Sequence, residues 1–200
     1  MTDVQILGLV GPAKSGKNAV ADALGDTWVQ LAFAEPIKQM LYHLNPILPT
    51  TFDRSYPMVK RVQDVVDSAG WDKAKKNHEI RELLQRLGTE AGRDVLGEDI
   101  WLRILSEKID EYAGLANYNV VVTDVRFPNE VDLIKRYGGS IVWVHRPGVE
   151  PLNAHASEAL DFGKVSDVML LNDGTLEDLE RTVQGYLLDL KLIKAFKLDA

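Results

Sequence analysis

Residues 11–18 read GPAKSGKN and form a glycine loop between an apolar run and a helix-like run. The apolar run, residues 4–10 (VQILGLV), is typical of a buried parallel strand, and residues 19–24 (AVADAL) are typical of the first turns of a helix. A loop in this position directs backbone N–H groups at one point, which is how many proteins hold a phosphate. The chain is therefore expected to begin as a strand, a phosphate-binding loop and a helix, the opening unit of an α/β fold.

The residue types in this loop suit phosphate binding. Gly11 and Gly16 let the backbone turn and approach an anion without a Cβ in the way. Lys17 matches the lysine of the G-x-x-x-x-G-K-[ST] motif, whose amine reaches the β- and γ-phosphates of a nucleotide. Asn18 departs from the motif, because Ser or Thr there would place a hydroxyl on Mg²⁺. The alternative is a strand-to-helix turn that binds nothing, and the position of the loop favours phosphate.

Composition narrows the remaining classes of protein. With 200 residues, the chain is long enough for one sizeable α/β domain. It has no apolar run of about 20 residues, no signal-peptide pattern and no cysteine, so we expect a protein of a reducing cytoplasm without membrane spans or disulfides. A net charge of −7 argues against stable nucleic-acid binding, which needs a broad basic surface.

Strand-like and helix-like runs alternate along the rest of the chain. The predicted strands cover residues 4–10, 28–33, 120–124, 140–145 and 167–171. The predicted helices follow residue 19, run from Pro36 to about Leu44, over 78–96 and 99–112, from Pro128 to about Tyr137, and onward from a Thr175 N-cap with Asp178 three residues later. Residues 45–77 are predicted as an excursion with some helix near 59–69, and 147–165 as a loop. This alternation predicts a parallel sheet with right-handed crossovers.

Polar side chains follow each predicted strand. Ligands of such sheets bind beyond the carboxyl ends of the strands, so these side chains are the candidates for the site. They are Lys14 and Lys17 in the loop, Glu35 and Lys38, Asp124 and Arg126, Arg146, and Asn172–Gly174. The sequence therefore predicts one sheet edge rich in cations.

Three of these side chains suit phosphoryl transfer, which needs positioning and charge neutralisation. Lys17 and Arg146 are the expected charge stabilisers, and Arg146 begins a long loop that would close as a lid over the reaction. Asp124 ends a strand, where a carboxylate holds Mg²⁺ in loop-type NTPases. Alternatively, Asp124 caps the next helix or pairs with Arg126, and Arg146 is a surface arginine beside a turn.

A second cluster of charge lies on the predicted helix 78–96. Arg86, Glu90 and Arg93 are spaced i, i+4 and i+7, which places them on one face of an α-helix and suits bidentate contact with a phosphate monoester. Gly88 and Gly92 each cost about 1 kcal/mol relative to alanine in a helix, so they indicate close approach of another backbone or a ligand. The alternative is a salt-bridged helix in a packed seam.

His155 and Glu158 have the spacing of a metal pair, but no other histidine–carboxylate cluster accompanies them, and zinc needs three or four ligands. Contact with the lid or the substrate is the better interpretation.

Six segments in this order resemble bacteriophage deoxynucleoside monophosphate kinases, over nearly the whole chain. They are GPAKSGKN at 11–18, FAEPIK at 33–38, LQRLGTE with GR at 84–93, EDIW at 98–101, TDVRFPNE at 123–130 and HASE at 155–158. The QRLGTE and DVRFPNE segments are much more specific than the glycine loop. Family members often carry an acidic residue after the loop lysine, and Asn18 is its amide counterpart.

The resemblance implies a three-layer P-loop nucleoside monophosphate kinase-like fold with a five-stranded parallel sheet. It implies a single domain over 1–200, with a helical acceptor-binding insertion at about 45–113 and a lid at about 146–165. It implies transfer of the ATP γ-phosphate, with Mg²⁺, to deoxynucleoside 5′-monophosphates for DNA precursor synthesis. The implied catalytic residues are Lys17, Asp124 and Arg146, and the implied metal ligands are Asn18 and Asp124.

The resemblance also assigns the two substrates. The implied ATP-binding residues are Gly11, Ala13, Lys14, Ser15, Gly16, Lys17, Asn18, Asn172 and Gly174, the last two bordering the adenine. The implied acceptor-binding residues are Lys38, Arg86, Glu90, Arg93, Asp124, Arg126, Asn129, Glu130, His155 and Glu158. Arginines would grip the acceptor phosphate, and Glu90, Asn129 and Glu130 would read the sugar or base.

Three alternatives to this activity stay open from the sequence. The same segments resemble, more faintly, animal-type phosphomevalonate kinases, and a kinase of hydroxymethylated pyrimidines within phage DNA is related. A non-catalytic module that uses nucleotide binding to switch shape is the third. We expect a small-molecule nucleotide as partner, a location in the cytoplasm (of the host if phage-encoded), and a homodimer as one option for the leucine-rich C-terminal helix.

Overall fold

The computed structural model describes the backbone of residues 4–48, 60–113, 115, 118–149 and 160–198, and side chains as far as residue 187. The chain divides into two compact units. We call them the sheet unit (Met1–Ala32 and Leu105–Ala200) and the helical unit (Phe33–Ile104).

The sheet unit contains a five-stranded parallel sheet. Its strands are β1 (Ile6–Val10), β2 (Trp28–Leu31), β5 (Asn119–Val122), β6 (Ser140–His145) and β7 (Val168–Leu171). They lie in the order β2-β5-β1-β6-β7, and every neighbouring pair is parallel. The predicted five-stranded parallel sheet is therefore confirmed.

Helices cover both faces of this sheet. Leu7 and Leu9 of β1 pack on the face that carries α1 (Lys17–Ala23) and α8 (Leu176–Leu198). On the opposite face, a Cβ at Gly8 would lie 3.2 Å from Ile134 of α6 (Pro128–Arg136). The hydroxyl of Tyr137, just after α6, donates to Asp110 of α5 (Ile100–Ala113) at 2.8 Å. The layers are helix, sheet and helix, which confirms the predicted three-layer α/β fold.

The covered faces explain the composition of the central strands. Val120, Val121 and Val122 are each 0% exposed, and all five residues of β1 are buried. A strand buried on both faces reads as a continuous apolar run instead of an alternating one. This is why the runs at 4–10 and 120–124 were recognisable as strands.

The helical unit has a separate core. It consists of α2 (Glu35–Leu44), an antiparallel pair β3 (Ile47–Leu48) and β4 (Lys60–Arg61), α3 (Val62–Ala74), α4 (His78–Arg86) and a π-helix (Leu87–Leu96), followed by the start of α5. Leu41, Leu48 and Ile80 are among its buried residues.

Three local predictions are corrected by the structure. The predicted helix 78–96 is two helices, because the α-helix ends at Arg86 and residues 87–96 wind as a π-helix. The excursion 45–77 contains the β3–β4 pair, which was not predicted, whereas the helix predicted near 59–69 is found over Val62–Ala74 with a kink at Gly70. The predicted loop 147–165 contains the short helix α7 (Phe162–Val165). Short apolar runs and two-residue strands carry too little periodicity to be recognised from sequence.

In the part of the chain that the structure describes, no helix has the length and apolar character of a transmembrane span.

Candidate active site

The strand order brings the predicted site residues of the sheet unit to one edge. β1 is the central strand, and the glycine loop follows it directly. Asp124 comes two residues after β5 and Arg146 directly after β6, the two strands that flank β1. Because all these strands are parallel, their carboxyl ends share the edge where α/β sheets bind ligands.

The glycine loop has the backbone of a phosphate cradle. Gly11 (φ 141°) and Gly16 (φ 103°) adopt positive φ, and so does Lys14 (φ 69°). A Cβ at Gly11 would lie 2.6 Å from the carbonyl oxygen of Val144, so this position needs glycine for space as well as for conformation. Ala13, Lys14 and Asn18 are exposed, whereas Ser15 is 0% exposed.

The loop lysine is held by the loop itself. Lys17 Nζ donates to the carbonyl oxygens of Gly11 (2.7 Å) and Pro12 (2.9 Å). The N–H of Ser15 also donates to the Pro12 carbonyl, at 3.2 Å. A phosphate oxygen would replace neutral carbonyl partners of the Lys17 amine with charged ones, and such charge-assisted hydrogen bonds are stronger.

The turn after β7 contacts the glycine loop from the side. The backbone N–H of Asn172 donates to the carbonyl of His145, and its side-chain Nδ2 donates to the carbonyl of Ser15, both at 2.8 Å. Sequence reasoning missed this second contact and assigned Asn172 and Gly174 to the adenine, which stays a prediction. The predicted N-cap of α8 is confirmed, because Asp178 N–H donates to Thr175 Oγ1 at 3.2 Å.

The segment after β5 is shaped by a buried carboxylate. Glu130 is 2% exposed, and its Oε2 accepts hydrogen bonds from the N–H groups of Arg126 (2.7 Å) and Phe127 (3.1 Å). This is a capping contact at the start of α6, and it fixes the turn that carries the exposed Arg126 side chain. The sequence carried the signal, since Pro128 opens the helix and Glu130 lies at its third position. The contact of Glu130 with sugar or base stays a prediction.

A neighbouring amide has an unsatisfied oxygen. Within the described residues, the Oδ1 atom of Asn129 is buried and has no hydrogen-bond partner. Buried polar atoms are rarely left unpaired, so this oxygen is a candidate acceptor for a ligand donor.

The donor atoms present suit a hard cation. Mg²⁺ in phosphate-transferring sites is typically held by one or two carboxylates together with substrate phosphates and water. Asp124 offers a carboxylate at the end of β5, and Asn18 offers an exposed amide in the first turn of α1. Asp124 and Asn18 therefore fit the chemistry of Mg²⁺ and stay the predicted ligands.

The candidates of the helical unit lie on its helices, where Arg86 and Glu90 are exposed and Lys38 and Arg93 are half-buried. Arg86 Nε and Glu90 Oε2 are 3.3 Å apart, and the two side chains are 61% and 63% exposed. Arg93 lies further along the π-helix, so the α-helical stripe that we predicted for the three residues does not apply to the winding found here. On α2, Lys38 Nζ pairs with Glu35 Oε2 at 2.8 Å.

The two glycines of this segment accommodate side chains. A Cβ at Gly92 would lie 2.3 Å from Cζ2 of the buried Trp101, and one at Gly88 would lie 3.1 Å from Cδ1 of Ile37. The Trp101 indole N–H also donates to the Gly88 carbonyl at 2.8 Å. The close approach that we predicted is therefore found: the Trp101 ring and the backbone carbonyl oxygen of Leu87, at 2.9 Å, limit the space at Gly92, and the Ile37 side chain limits it at Gly88.

Two predicted residues cannot be placed. His155 and Glu158 lie outside the described residues, together with the rest of 150–159 in the predicted lid. Arg146, at the start of that segment, is exposed, and its carbonyl accepts the N–H of Val149 in a turn.

Comparison with known proteins gives consistent sequence matches. The family model described as deoxynucleotide monophosphate kinase matches residues 50–183. A protein of Acanthamoeba polyphaga mimivirus that carries the name of the same kinase is 30% identical over 190 residues, which cover 86% of this chain and 91% of that protein. The deoxynucleotide monophosphate kinase of Escherichia phage RB69 is 30% identical over 108 residues, which cover 54% of this chain and 44% of that protein.

Solved structures give weaker likenesses. Dephospho-CoA kinase from Campylobacter jejuni aligns with a TM-score of 0.47 and 12% identity, over 95% of this chain and 98% of that one. Shikimate kinase from Aquifex aeolicus aligns with a TM-score of 0.43 and 14% identity, over 94% and 96%. Both TM-scores are below 0.5 and support no further argument.

Proposed function

Because this chain belongs to the deoxynucleotide monophosphate kinase family, we propose that it transfers the γ-phosphate of ATP to deoxynucleoside 5′-monophosphates, giving the diphosphates. The observation that carries the proposal is the glycine loop on the central strand, flanked by Asp124 and Arg146 at the ends of the adjacent strands. The product would feed DNA precursor synthesis.

The donor is assigned to the sheet unit. The glycine loop would cradle the β- and γ-phosphates with its backbone N–H groups, and Lys17 would exchange the Gly11 and Pro12 carbonyls for phosphate oxygens. Asp124 and Asn18 would hold Mg²⁺, which neutralises charge on the phosphates when it is bound.

The transfer itself needs little covalent chemistry from the protein. A phosphate oxygen of the acceptor attacks the γ-phosphorus of ATP. The bond from the γ-phosphorus to the β,γ-bridging oxygen breaks, and ADP leaves with that electron pair. Lys17 and Arg146 would stabilise charge on the transferred group, which is the main contribution that a protein makes to this reaction.

The acceptor is assigned to arginines with exposed or half-buried side chains. In the sheet unit, Arg126 would bind the phosphate of the monophosphate, and in the helical unit Arg86 and Arg93 stay predicted acceptor-binding residues. Guanidinium groups suit this role because they bind phosphate oxygens in bidentate geometry. Lys38, Glu90 and Asn129 stay candidates for the rest of the nucleotide.

A single coupled assay tests the proposal. ADP formation from ATP and Mg²⁺ is measured with a panel of deoxynucleoside monophosphates, ribonucleoside monophosphates, phosphomevalonate and DNA that contains hydroxymethylated pyrimidines. We expect turnover with one or more deoxynucleoside monophosphates, and none after Mg²⁺ is removed with EDTA.

Each other result identifies a rival. Turnover with phosphomevalonate alone, or with modified DNA alone, assigns the chain to that reaction. ATP binding without turnover of any acceptor indicates a nucleotide-gated module and refutes the kinase assignment.

A further inference from the structure

We propose that Asn172 is a positioning residue of the ATP site, which sets the orientation of the Ser15–Gly16 peptide in the glycine loop. The inference rests on the proposed function only in naming ATP as the ligand. It differs from the sequence expectation, in which Asn172 borders the adenine.

Asn172 is fixed at both ends. Its backbone N–H donates to the carbonyl of His145 at the end of β6, and its Nδ2 donates to the carbonyl of Ser15, each at 2.8 Å. The residue is 7% exposed, so this amide is withdrawn from solvent. A buried hydrogen bond of this kind is costly to lose, because the carbonyl would stay buried without a partner.

The contact reaches the residue next to the loop lysine. A Cβ at Gly16 would lie 2.3 Å from Nδ2 of Asn172, so the amide occupies the space beside the Gly16 backbone. Ser15 is 0% exposed, and its own N–H donates to Pro12 O. Both backbone polar groups of Ser15 are therefore engaged within the sheet unit.

Peptide planarity converts this contact into an orientation. In a trans peptide, the carbonyl of one residue and the N–H of the next point in opposite directions within one plane. Because Asn172 holds the Ser15 carbonyl, the Gly16 N–H must point away from Asn172. Among the described residues this N–H has no hydrogen-bond partner. It is thus available to an anion held in the loop.

A ligand without a base separates positioning from adenine contact. If Asn172 orients the loop, its loss weakens inorganic tripolyphosphate and ATP alike. If Asn172 contacts the adenine, only ATP is weakened. Affinities of both ligands are measured by calorimetry for the full chain and for Asn172→Ala and Asn172→Leu.

We expect both variants to weaken ATP and tripolyphosphate by similar factors of about tenfold, the effect of losing one buried hydrogen bond. KM for ATP should rise in parallel, whereas KM for the deoxynucleoside monophosphate should stay within about twofold. Asn172→Leu keeps the number and branching of the side-chain heavy atoms without adding a charge, and so tests the proposal even if Asn172→Ala fails to fold.

Asn119→Ala is the matched control. Its Oδ1 accepts the N–H of Gln5 at 3.0 Å at the opposite, amino-terminal edge of the same sheet. This variant should lower Tm without changing either affinity.

Three results would overturn the inference: weakening of ATP but not of tripolyphosphate, unchanged affinity for both, or equal losses in Asn119→Ala. Failure of the proposed function is seen separately, as binding of both ligands by the wild type without turnover of any monophosphate.

Discussion

The two units of this chain hold their candidate residues in different ways. In the sheet unit, buried side chains hold two of the segments that follow strands: Asn172 donates to the Ser15 carbonyl, and Glu130 accepts from the N–H groups of Arg126 and Phe127. In the helical unit, Arg86 and Glu90 form an exposed ion pair on a helix whose buried side packs on Trp101. Exposed ion pairs contribute little stability, so Arg86 and Glu90 are held in place by the packing beneath them, whereas the candidate segments of the sheet unit are also held by side-chain hydrogen bonds.

The difference predicts where a mutation changes chemistry and where it changes stability. Substitutions at the sheet edge should impair binding and transfer while the fold persists. Substitutions on the buried side of the π-helix, where Gly92 faces Trp101, should destabilise the helical unit without directly changing a contact with a ligand. Four experiments test this contrast, from the largest expected effect to the smallest.

Lys17→Ala should reduce turnover by about 10³-fold or more, since it removes a charge that stabilises the transferred phosphate. The fold should persist, because the amine donates to the Gly11 and Pro12 carbonyls of its own loop and Lys17 is only half-buried. Steady-state kinetics and circular dichroism measure the two effects. Retained turnover would remove the loop from the donor site.

Arg126→Ala should lower kcat/KM for the monophosphate by about 10- to 150-fold, the equivalent of about 1.5–3 kcal/mol for a charged hydrogen-bonding partner. KM for ATP should not change. The matched control is Arg181→Ala, an exposed arginine of the same unit that pairs with Asp178. Equal kinetics for Arg126→Ala and the control would exclude Arg126 from acceptor binding.

Gly92→Ala should destabilise the helical unit by about 1–3 kcal/mol, because the new methyl group overlaps the ring of Trp101 and cannot be accommodated without repacking. Gly185→Ala is the control: a Cβ there meets nothing within 4 Å in α8, and the change should stabilise by about 0.5–1 kcal/mol. Urea unfolding measures both. If Gly92→Ala has the same urea midpoint of unfolding as the wild type, packing against Trp101 does not hold the π-helix, and the contrast drawn between the two units is wrong.

Tyr186→Phe should have the smallest effect at neutral pH. Burial, with a smaller contribution from the charge of Asp167, raises the pKa of Tyr186 to about 12, and its hydroxyl has no hydrogen-bond partner within the described residues. Removing an unsatisfied hydroxyl should leave stability unchanged or slightly raised at pH 7.

The same variant should change the alkaline limb of stability. Below a pH of about 10, the hydroxyl is protonated in both the folded and the unfolded chain. Above it, the hydroxyl ionises in the unfolded chain while it stays protonated in the folded one, whose pKa is about 12. The free energy of unfolding of the wild type therefore falls as the pH rises from about 10 towards about 12. Tyr186→Phe should flatten this fall, as measured by urea unfolding at pH 8 and pH 11. An identical alkaline loss in the variant would show that Tyr186 does not titrate as its burial requires.

Much of the sheet unit was predictable because its signals are local. Continuous apolar runs identified the buried strands, and Thr175 with Asp178 identified the start of α8. The helical unit was less predictable. Its two-residue strands are too short to show a period, and its π-helix shares the apolar spacing of an α-helix.

By itself, the sequence determined the α/β class, the glycine loop and the side chains that follow each strand, because hydrophobic period and backbone freedom are properties of neighbouring residues. Only the tertiary structure decided the strand order that sets β1 between β5 and β6, the approach of Trp101 to Gly92, and the hydrogen bond from Asn172 to Ser15. That last contact joins residues 157 positions apart. No local pattern encodes it, since it exists only after the sheet has brought the ends of β1 and β7 to the same edge.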